Sequence, residues 1–216
     1  MENSGNLARV RTVYDMVAET YAAVLPDTSF EAPEDLALIN EFSARLRGAA
    51  GHRVVDAGCG TGRMSAYLSG AGLQVTGVDL SPGMVRTAQR LHPRLTFAVG
   101  GLAELPVADA AVDGVFAWYS IIHSAPAALS GTAREFWRVL RPGGLALVAF
   151  HVGSGHRTLQ RAYGHDVELR LELHRPDDVG LRFAGQGFVP EMQLLRAARG
   201  TEKHPQAALV MSKPKV

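Results

Sequence analysis

Val54-Val55-Asp56-Ala57-Gly58-Cys59-Gly60-Thr61-Gly62 decides how this chain is read. A short apolar run ends in an acidic residue, and three glycines follow at alternate positions. Residues 63–70 carry a helical pattern, so the stretch reads as strand, tight turn, helix. Glycine at such a turn lets the backbone bend sharply and approach a ligand closely. The alternation then repeats. Leu73 to Asp79 reads as a second strand, and Ser81-Pro82 as an N-cap followed by a first-turn proline. A helix continues to about Leu91. Leu95 to Val99 and Val112 to Trp118 read as third and fourth strands. A helix from about Thr132 to Leu140 stops at Arg141-Pro142-Gly143-Gly144, and Leu145 to Phe150 is a fifth strand. Strands alternating with helices imply βαβ units, a parallel sheet and right-handed crossovers, so the fold class is α/β and doubly wound.

Both ends of the chain break this rhythm. Leu7, Val10, Tyr14, Val17, Tyr21 and Val24 recur at spacings of three and four, which predicts a helix over 7–25 closed by Pro26. A second helix over about 34–47 presents Leu36, Ile39, Phe42 and Leu46, and Gly48 and Gly51 end it. Toward the C-terminus, residues 176–186 read as helix, and Phe188 to Leu195 and Ala207 to Met211 as strands. The linker between those strands, with Gly200 and Pro205, is too short for a helical crossover, which predicts an antiparallel hairpin. Residues 151–175 read as irregular, except that Val167 to Leu173 alternates strictly and reads as an extra exposed strand. A single domain results: a helical cap (1–50), a cofactor-binding core (52–150), a lid or substrate insertion (151–175), and a C-terminal helix and hairpin (176–216).

Composition narrows the function. The 216 residues are 47% hydrophobic and 20% charged, the balance of a globular chain rather than a disordered one. A net charge of +1 gives no global electrostatic case for nucleic acid or an acidic membrane. Cys59 is the only cysteine, which excludes a disulfide framework and a cysteine-based zinc site, and no metal is expected. The N-terminus lacks the pattern of a secretory signal and no apolar run reaches the ~20 residues of a membrane span. The expectation is a cytoplasmic protein, monomer or homodimer, acting without nucleic acid or membrane.

In an open parallel sheet, ligands bind outside the carboxyl ends of the strands near the topological switch point. Asp79 ends the second strand, where a carboxylate can accept both hydroxyl protons of a ribose. A dinucleotide fingerprint needs Gly-x-Gly-x-x-Gly, but its third glycine would fall at Arg63. Asp56, just before the turn, would repel a pyrophosphate and suits a ligand with a cationic amine.

With Asp56 to Gly62 followed by Gly77-Val78-Asp79-Leu80-Ser81-Pro82-Gly83-Met84, the chain resembles the class I S-adenosylmethionine-dependent methyltransferases from about Tyr14 to its last strand. The resemblance implies a Rossmann-like, mostly parallel seven-stranded sheet with an antiparallel C-terminal strand. It also implies that the Gly58-Cys59-Gly60 turn lies against the methionine part of the cofactor. Asp56 then reaches the amino group through water, Asp79 holds the ribose hydroxyls, and Leu80 and Met84 sandwich the adenine. Gly100 to Pro106 resembles the third motif of the family, where many relatives have an acidic residue in place of Gly101; backbone near Leu102 must substitute. Asp113 to His123 resembles the fourth motif, which implies that the Ala117 carbonyl faces the amine. Arg138 to Gly144 resembles the signature that leads into the fifth strand. Tyr14-Asp15-Met16-Val17-Ala18-Glu19-Thr20-Tyr21 resembles a first-helix motif in which a tyrosine touches the cofactor; that role falls to Tyr14. Tyr21, displaced by one residue from the motif, is expected to pack in the core.

Asp56 could instead cap backbone donors, and the Cys59 side chain reads as a small buried filler with no base beside it. Trp118 and Tyr119, after the fourth strand, are assigned to the substrate side, where aromatic faces stabilise a sulfonium and a flat acceptor. His123 is the candidate general base, with an unperturbed pKa near 6.5 suited to proton removal at neutral pH. His151 is placed on the substrate side, while His165 and His174 read as structural. The Asp/Asn-Pro-Pro-Tyr motif of nucleic-acid amino methyltransferases is absent, since residues 117–120 read Ala-Trp-Tyr-Ser. No Pro-Cys dipeptide exists, and residues 117–131 hold no carboxylate for a catechol-type metal. The expected activity is methyl transfer from S-adenosylmethionine to an O, N or C nucleophile of a small-molecule acceptor. A non-catalytic binder of the same cofactor and a nicotinamide-dependent oxidoreductase stand as alternatives.

Overall fold

Two helices come first, α1 (Glu2–Val24) and α2 (Pro33–Gly48), in a computed structural model that describes residues 2–48 and 52–215. Gly51, expected to end α2, lies outside the described residues. The apolar spacing of α1 buries Val10, Val13, Val17 and Ala18, and α2 buries Ile39, Phe42 and Leu46. The alternating core follows: β1 (Arg53–Ala57), α3 (Arg63–Gly70), β2 (Gln74–Asp79), α4 (Pro82–Leu91), β3 (Thr96–Val99), β4 (Val112–Trp118), α5 (Leu129–Val139) and β5 (Leu140–His151). The chain closes with β6 (His156–Ala162), β7 (His165–Glu172), α6 (Pro176–Ala184), β8 (Val189–Arg196) and β9 (Gln206–Ser212).

Seven strands form one sheet in the order β3-β2-β1-β4-β5-β9-β8. β1 to β5 pair in parallel, and β9 runs antiparallel to both β5 and β8. The seven-stranded, mostly parallel reading with an antiparallel last strand therefore holds. The order reverses between β1 and β4, so their carboxyl ends open a crevice. β4 is buried along its whole length because the sheet is covered on both faces. One core joins α1, α5 and α6 to one face through Val17, Val55, Val115, Phe136 and Phe183. The other sets Phe42 and Leu46 of α2 and Leu68 of α3 against Val54 and Phe116. Ser81 caps α4 as its sequence requires, its hydroxyl accepting from Met84 N at 3.0 Å.

Two expectations change. The Arg141-Pro142-Gly143-Gly144 stretch ends the helix but does not leave the sheet. Leu140 already pairs with Val112, and the register shifts before Gly114 meets Leu145. Residues 151–175 are not irregular, since β6 and β7 form an antiparallel hairpin. Its two-residue turn is Tyr163-Gly164, both with positive φ (51° and 84°), the geometry that matches the twist of a tight hairpin. Nor is the alternating strand exposed: Val167, Leu169 and Leu171 are buried in the core that contains α1. β6 has no comparable alternation, because Leu159 and Ala162 alone turn partly inward. Among the described residues no helix is long and apolar enough to cross a membrane.

Candidate functional site

The glycine turn after β1 hangs on the end of β2. Gly58 N and Cys59 N both donate to Val78 O, at 2.7 and 3.0 Å. Asp79 then clasps two backbones, its Oδ2 accepting from Gly60 N and its Oδ1 from Ser81 N, each at 2.8 Å. Gly58 has φ +84°, and a Cβ there would stand 2.2 Å from Cβ of Ser120 in the loop after β4. Only glycine fits where these two loops meet.

A cavity of about 830 Å³ opens at these strand ends. Of the residues assigned to the cofactor, Tyr14, Gly58, Gly60, Asp79, Leu80, Met84, Gly101 and Leu102 line it. Trp118, Tyr119, His123 and His151 line it as well. Tyr21, expected in the core, also stands in the wall, its ring over Gly60.

Asp56, Cys59 and Ala117 do not form the wall. Asp56 is 1% exposed and lies under the turn, where its Oδ2 accepts from the Ser65 hydroxyl at 2.6 Å and so holds α3 to β1. Burial pushes its carboxyl up to about 7, the charge of Asp79 adds to that, and the Ser65 bond opposes it. A folded-state value above the unfolded one means stability that is present at low pH and lost as pH rises through 7. Asp56→Asn, which cannot ionise, should therefore gain on the parent between pH 5 and 8.5. The gain should be on the order of 2 kcal/mol, read as a growing difference in Tm. Cys59 packs with Val85, Ala88 and Phe97, the filler its residue type suggested. Ala117 is fully buried within β4, paired with Val148, because the central strand is flanked on both sides.

His123 sits in a closed arrangement. Its Nε2 is 2.8 Å from the Tyr14 hydroxyl and its Nδ1 3.3 Å from the Arg170 carbonyl oxygen. A carbonyl can only accept, so Nδ1 carries the proton and Nε2 accepts from Tyr14. Burial lowers the imidazole pKa to about 4 and raises the Tyr14 hydroxyl well above its usual range. Both ring nitrogens are taken and the ring is neutral, so the expectation of a base at His123 meets no free lone pair. Tyr14→Phe leaves Nε2 without its donor and should cost about 1–3 kcal/mol in urea unfolding.

Four wall features escaped the sequence reading. Arg63 forms an ion pair with Glu31 at 2.6 Å, both side chains nearly buried, and Glu31 also accepts from the Trp118 indole at 3.2 Å. Arg63 is the residue that broke the dinucleotide fingerprint, which was the available signal. Ser120 Oγ is buried with no hydrogen-bond partner among the described residues. Tyr163, at the β6–β7 turn, brings its ring 4.8 Å from that of Tyr21 and covers the cavity. Tyr119 holds a left-handed φ of 57°, a strain of about 1–3 kcal/mol that clusters at functional sites. Its ring lies 5.2 Å from Trp118 and 5.1 Å from His151. His174 bonds the Ile121 carbonyl at 3.2 Å, a structural role, and His165 does not line the cavity. Among the described residues no group of three or more His, Cys, Asp or Glu gathers to hold a metal.

Residues 54–144 match the family model described as a methyltransferase domain. An O-methyltransferase of Aspergillus sclerotiorum is 33% identical over 121 residues, 52% of this chain and 44% of that protein. A malonyl-[acyl-carrier protein] O-methyltransferase of Erwinia billingiae is 38% identical over 165 residues, 69% of this chain and 64% of that protein. The chain thus spans less than half of the first relative and under two thirds of the second. Magnesium protoporphyrin IX methyltransferase from Synechocystis PCC 6803 superposes with a TM-score of 0.71 at 19% identity, covering 96% of this chain and 97% of that one, a likeness of fold.

Proposed function

Because the chain belongs to the class I S-adenosylmethionine-dependent methyltransferases, we propose that it transfers a methyl group from S-adenosylmethionine to a nucleophilic O, N or C atom of a small molecule. When bound, that cofactor supplies a methyl made electrophilic by a sulfonium. The residues of this chain hold, orient and shield the partners. Asp79 receives the ribose: each carboxylate oxygen uses one lone pair on a backbone N–H and keeps another for a hydroxyl. Leu80 and Met84 flank the adenine, with Gly101 and Leu102 opposite. Tyr14 and Tyr21 face the methionine part and Tyr163 covers it, while Trp118, Tyr119 and His151 form the acceptor side. The α1–α2 cap and the β6–β7 hairpin act as the cover that excludes water. With the acceptor oriented against the methyl, proximity alone supplies many orders of magnitude.

The observation that carries this reading is the polar atom left over at the glycine turn. Ser120 Oγ, buried and without a hydrogen-bond partner among the described residues, stands beside Gly58 on a residue of the cavity wall; such a hydroxyl needs a partner, and a turn of its side chain toward a bound ligand supplies one. The volume of about 830 Å³ also lies in the range of small-molecule sites, about 300–1,000 Å³. The test is thermal unfolding with S-adenosylhomocysteine, S-adenosylmethionine and NADH. A ligand at a hundredfold its Kd adds about 2.7 kcal/mol, a rise of roughly 5–10 °C at this size. A rise with the sulfur ligands alone is expected. A rise with NADH alone would overturn the proposal.

A further inference from the structure

Among the described residues, His151 is the histidine of the cavity wall with a nitrogen to spare. It ends β5 and pairs in register with Gln206 at the start of β9. Gln206 is buried, and its amide nitrogen donates to the His204 carbonyl oxygen at 2.7 Å. That contact fixes which way the amide points, because a carbonyl cannot donate. Gln206 Oε1 therefore faces His151 Nδ1, at 2.8 Å, and Nδ1 must carry the ring proton. Nε2 is left with its lone pair, and among the described residues nothing hydrogen-bonds to it. The ring stands in the cavity wall, tilted 32° to Tyr119 at 5.1 Å. A fixed tautomer, a free lone pair and a place in the wall are what a general base needs. His123 has the third but not the second.

We propose that His151 takes the proton from the acceptor through Nε2, that Gln206 is the positioning residue that holds it in this tautomer, and that the acceptor atom is therefore a phenolic hydroxyl oxygen. The proposal rests on the methyl-transfer reading above. A base is required when the nucleophile must lose a proton, as a phenol must and a neutral amine need not before attack. The aromatic faces of Tyr119 and Trp118 suit a flat ring. The hydroxyl proton passes to Nε2, the oxygen electron pair forms the new O–C bond, and the pair of the breaking C–S bond leaves with the neutral thioether. The imidazolium then returns its proton to water. Burial lowers the His151 pKa and the Gln206 bond opposes that. The other titratable or charged groups around it are Tyr119, His123, Arg157, Glu202, Lys203 and His204. His151 is thus neutral and ready at pH 7.

The test uses the full chain as wild type, His151→Asn, Gln206→Leu and Gln206→Glu. Calorimetry with S-adenosylhomocysteine comes first and should give the same affinity for all four. If the wild type does not bind, the methyl-transfer reading itself fails, whatever His151 does. Turnover with S-adenosylmethionine is then measured on catechol, 4-hydroxybenzoate, a hydroxynaphthoquinone, aniline and benzylamine. The phenols should be methylated. His151→Asn should lower kcat about 100-fold or more at pH 7 and lose the acidic limb of the pH profile. Gln206→Leu should lower kcat at least tenfold and Gln206→Glu restore it. Ring ¹⁵N NMR of the wild type should show His151 protonated on Nδ1, a readout that stands even if a Gln206 variant fails to fold. The proposal is overturned by an Nε2-protonated His151, by an unchanged kcat and pH profile in His151→Asn, by methylation of the amines alone, or by cofactor binding with no methylation of any phenol.

Discussion

Asp79→Ala should bind S-adenosylhomocysteine at least tenfold more weakly than the parent, about 1.4 kcal/mol, and should unfold about 2 kcal/mol more easily. The two losses have different origins. The carboxylate accepts from Gly60 N and Ser81 N, at 2.8 Å each, and so ties the glycine turn to the start of α4. Alanine leaves both donors without a partner, at about 1–3 kcal/mol apiece, the lower figure applying because the cavity admits water. The affinity loss comes from the ribose hydroxyls, which lose their acceptor. Burial raises the Asp79 carboxyl above the ordinary carboxylate range, and the backbone donors around it oppose that rise. Asp79→Asn separates the effects. Its amide must turn an N–H toward one of the two backbone donors, yet it keeps one acceptor, so it should fall between parent and alanine in both measurements. Calorimetry giving the alanine variant the parental affinity would remove Asp79 from the ligand site and leave it a purely structural clasp.

The difference between Asp79 and Asp56 shows what a sequence conveys about a site of this kind. Asp56 adjoins the glycine turn in the chain and Asp79 ends the next strand, and both read as ligand groups. Chain position fixes the strand on which each sits. It does not fix the direction of the side chain, and Asp56 turns under the turn to Ser65, away from the cavity. The parallel core was legible because its strands are short apolar runs punctuated by glycine and proline. The C-terminal hairpin was legible because its linker is too short for any other connection. The β6–β7 hairpin was only half legible: β7 alternates, but β6 is polar and mostly exposed, so its existence depends on its partner rather than on its own pattern. His123 was read as the candidate base and His151 as a substrate-side residue, although residue type alone gives both the same chemistry. What separates them is the hydrogen-bond partner of each ring nitrogen, supplied by Tyr14, Arg170 and Gln206, residues 47 to 109 positions away in the chain. Arg63 was visible only as a departure from another fingerprint. Its partner Glu31 lies 32 residues earlier, in a connection with no motif of its own.

That pair, of which Arg63 lines the cavity, carries the largest stability effect expected of a single substitution at the site. Glu31→Ala should cost about 3–5 kcal/mol, because it strands the Arg63 guanidinium without its counter-charge in a nearly buried position. For a chain of this size the fall in Tm is roughly 8–15 °C. Glu31→Gln should cost less, since the amide oxygen can still accept from the Trp118 indole. Glu31→Leu combined with Arg63→Met removes both charges together and should be milder than Glu31→Ala alone, since a buried pair exchanged for apolar groups is often close to neutral. A double-mutant cycle tests this directly: strong coupling means the penalty belongs to the stranded charge, whereas additive losses would mean the two side chains act independently. The pair also has a functional consequence. Glu31 belongs to the connection between α1 and α2, Arg63 opens α3 immediately after the glycine turn, and Trp118 ends β4. One carboxylate thus holds the cap, the turn and the end of β4, the proposed acceptor side, in a single arrangement. Loosening it should weaken S-adenosylhomocysteine binding even in the stable double variant, because the cap must then be ordered at the expense of binding free energy.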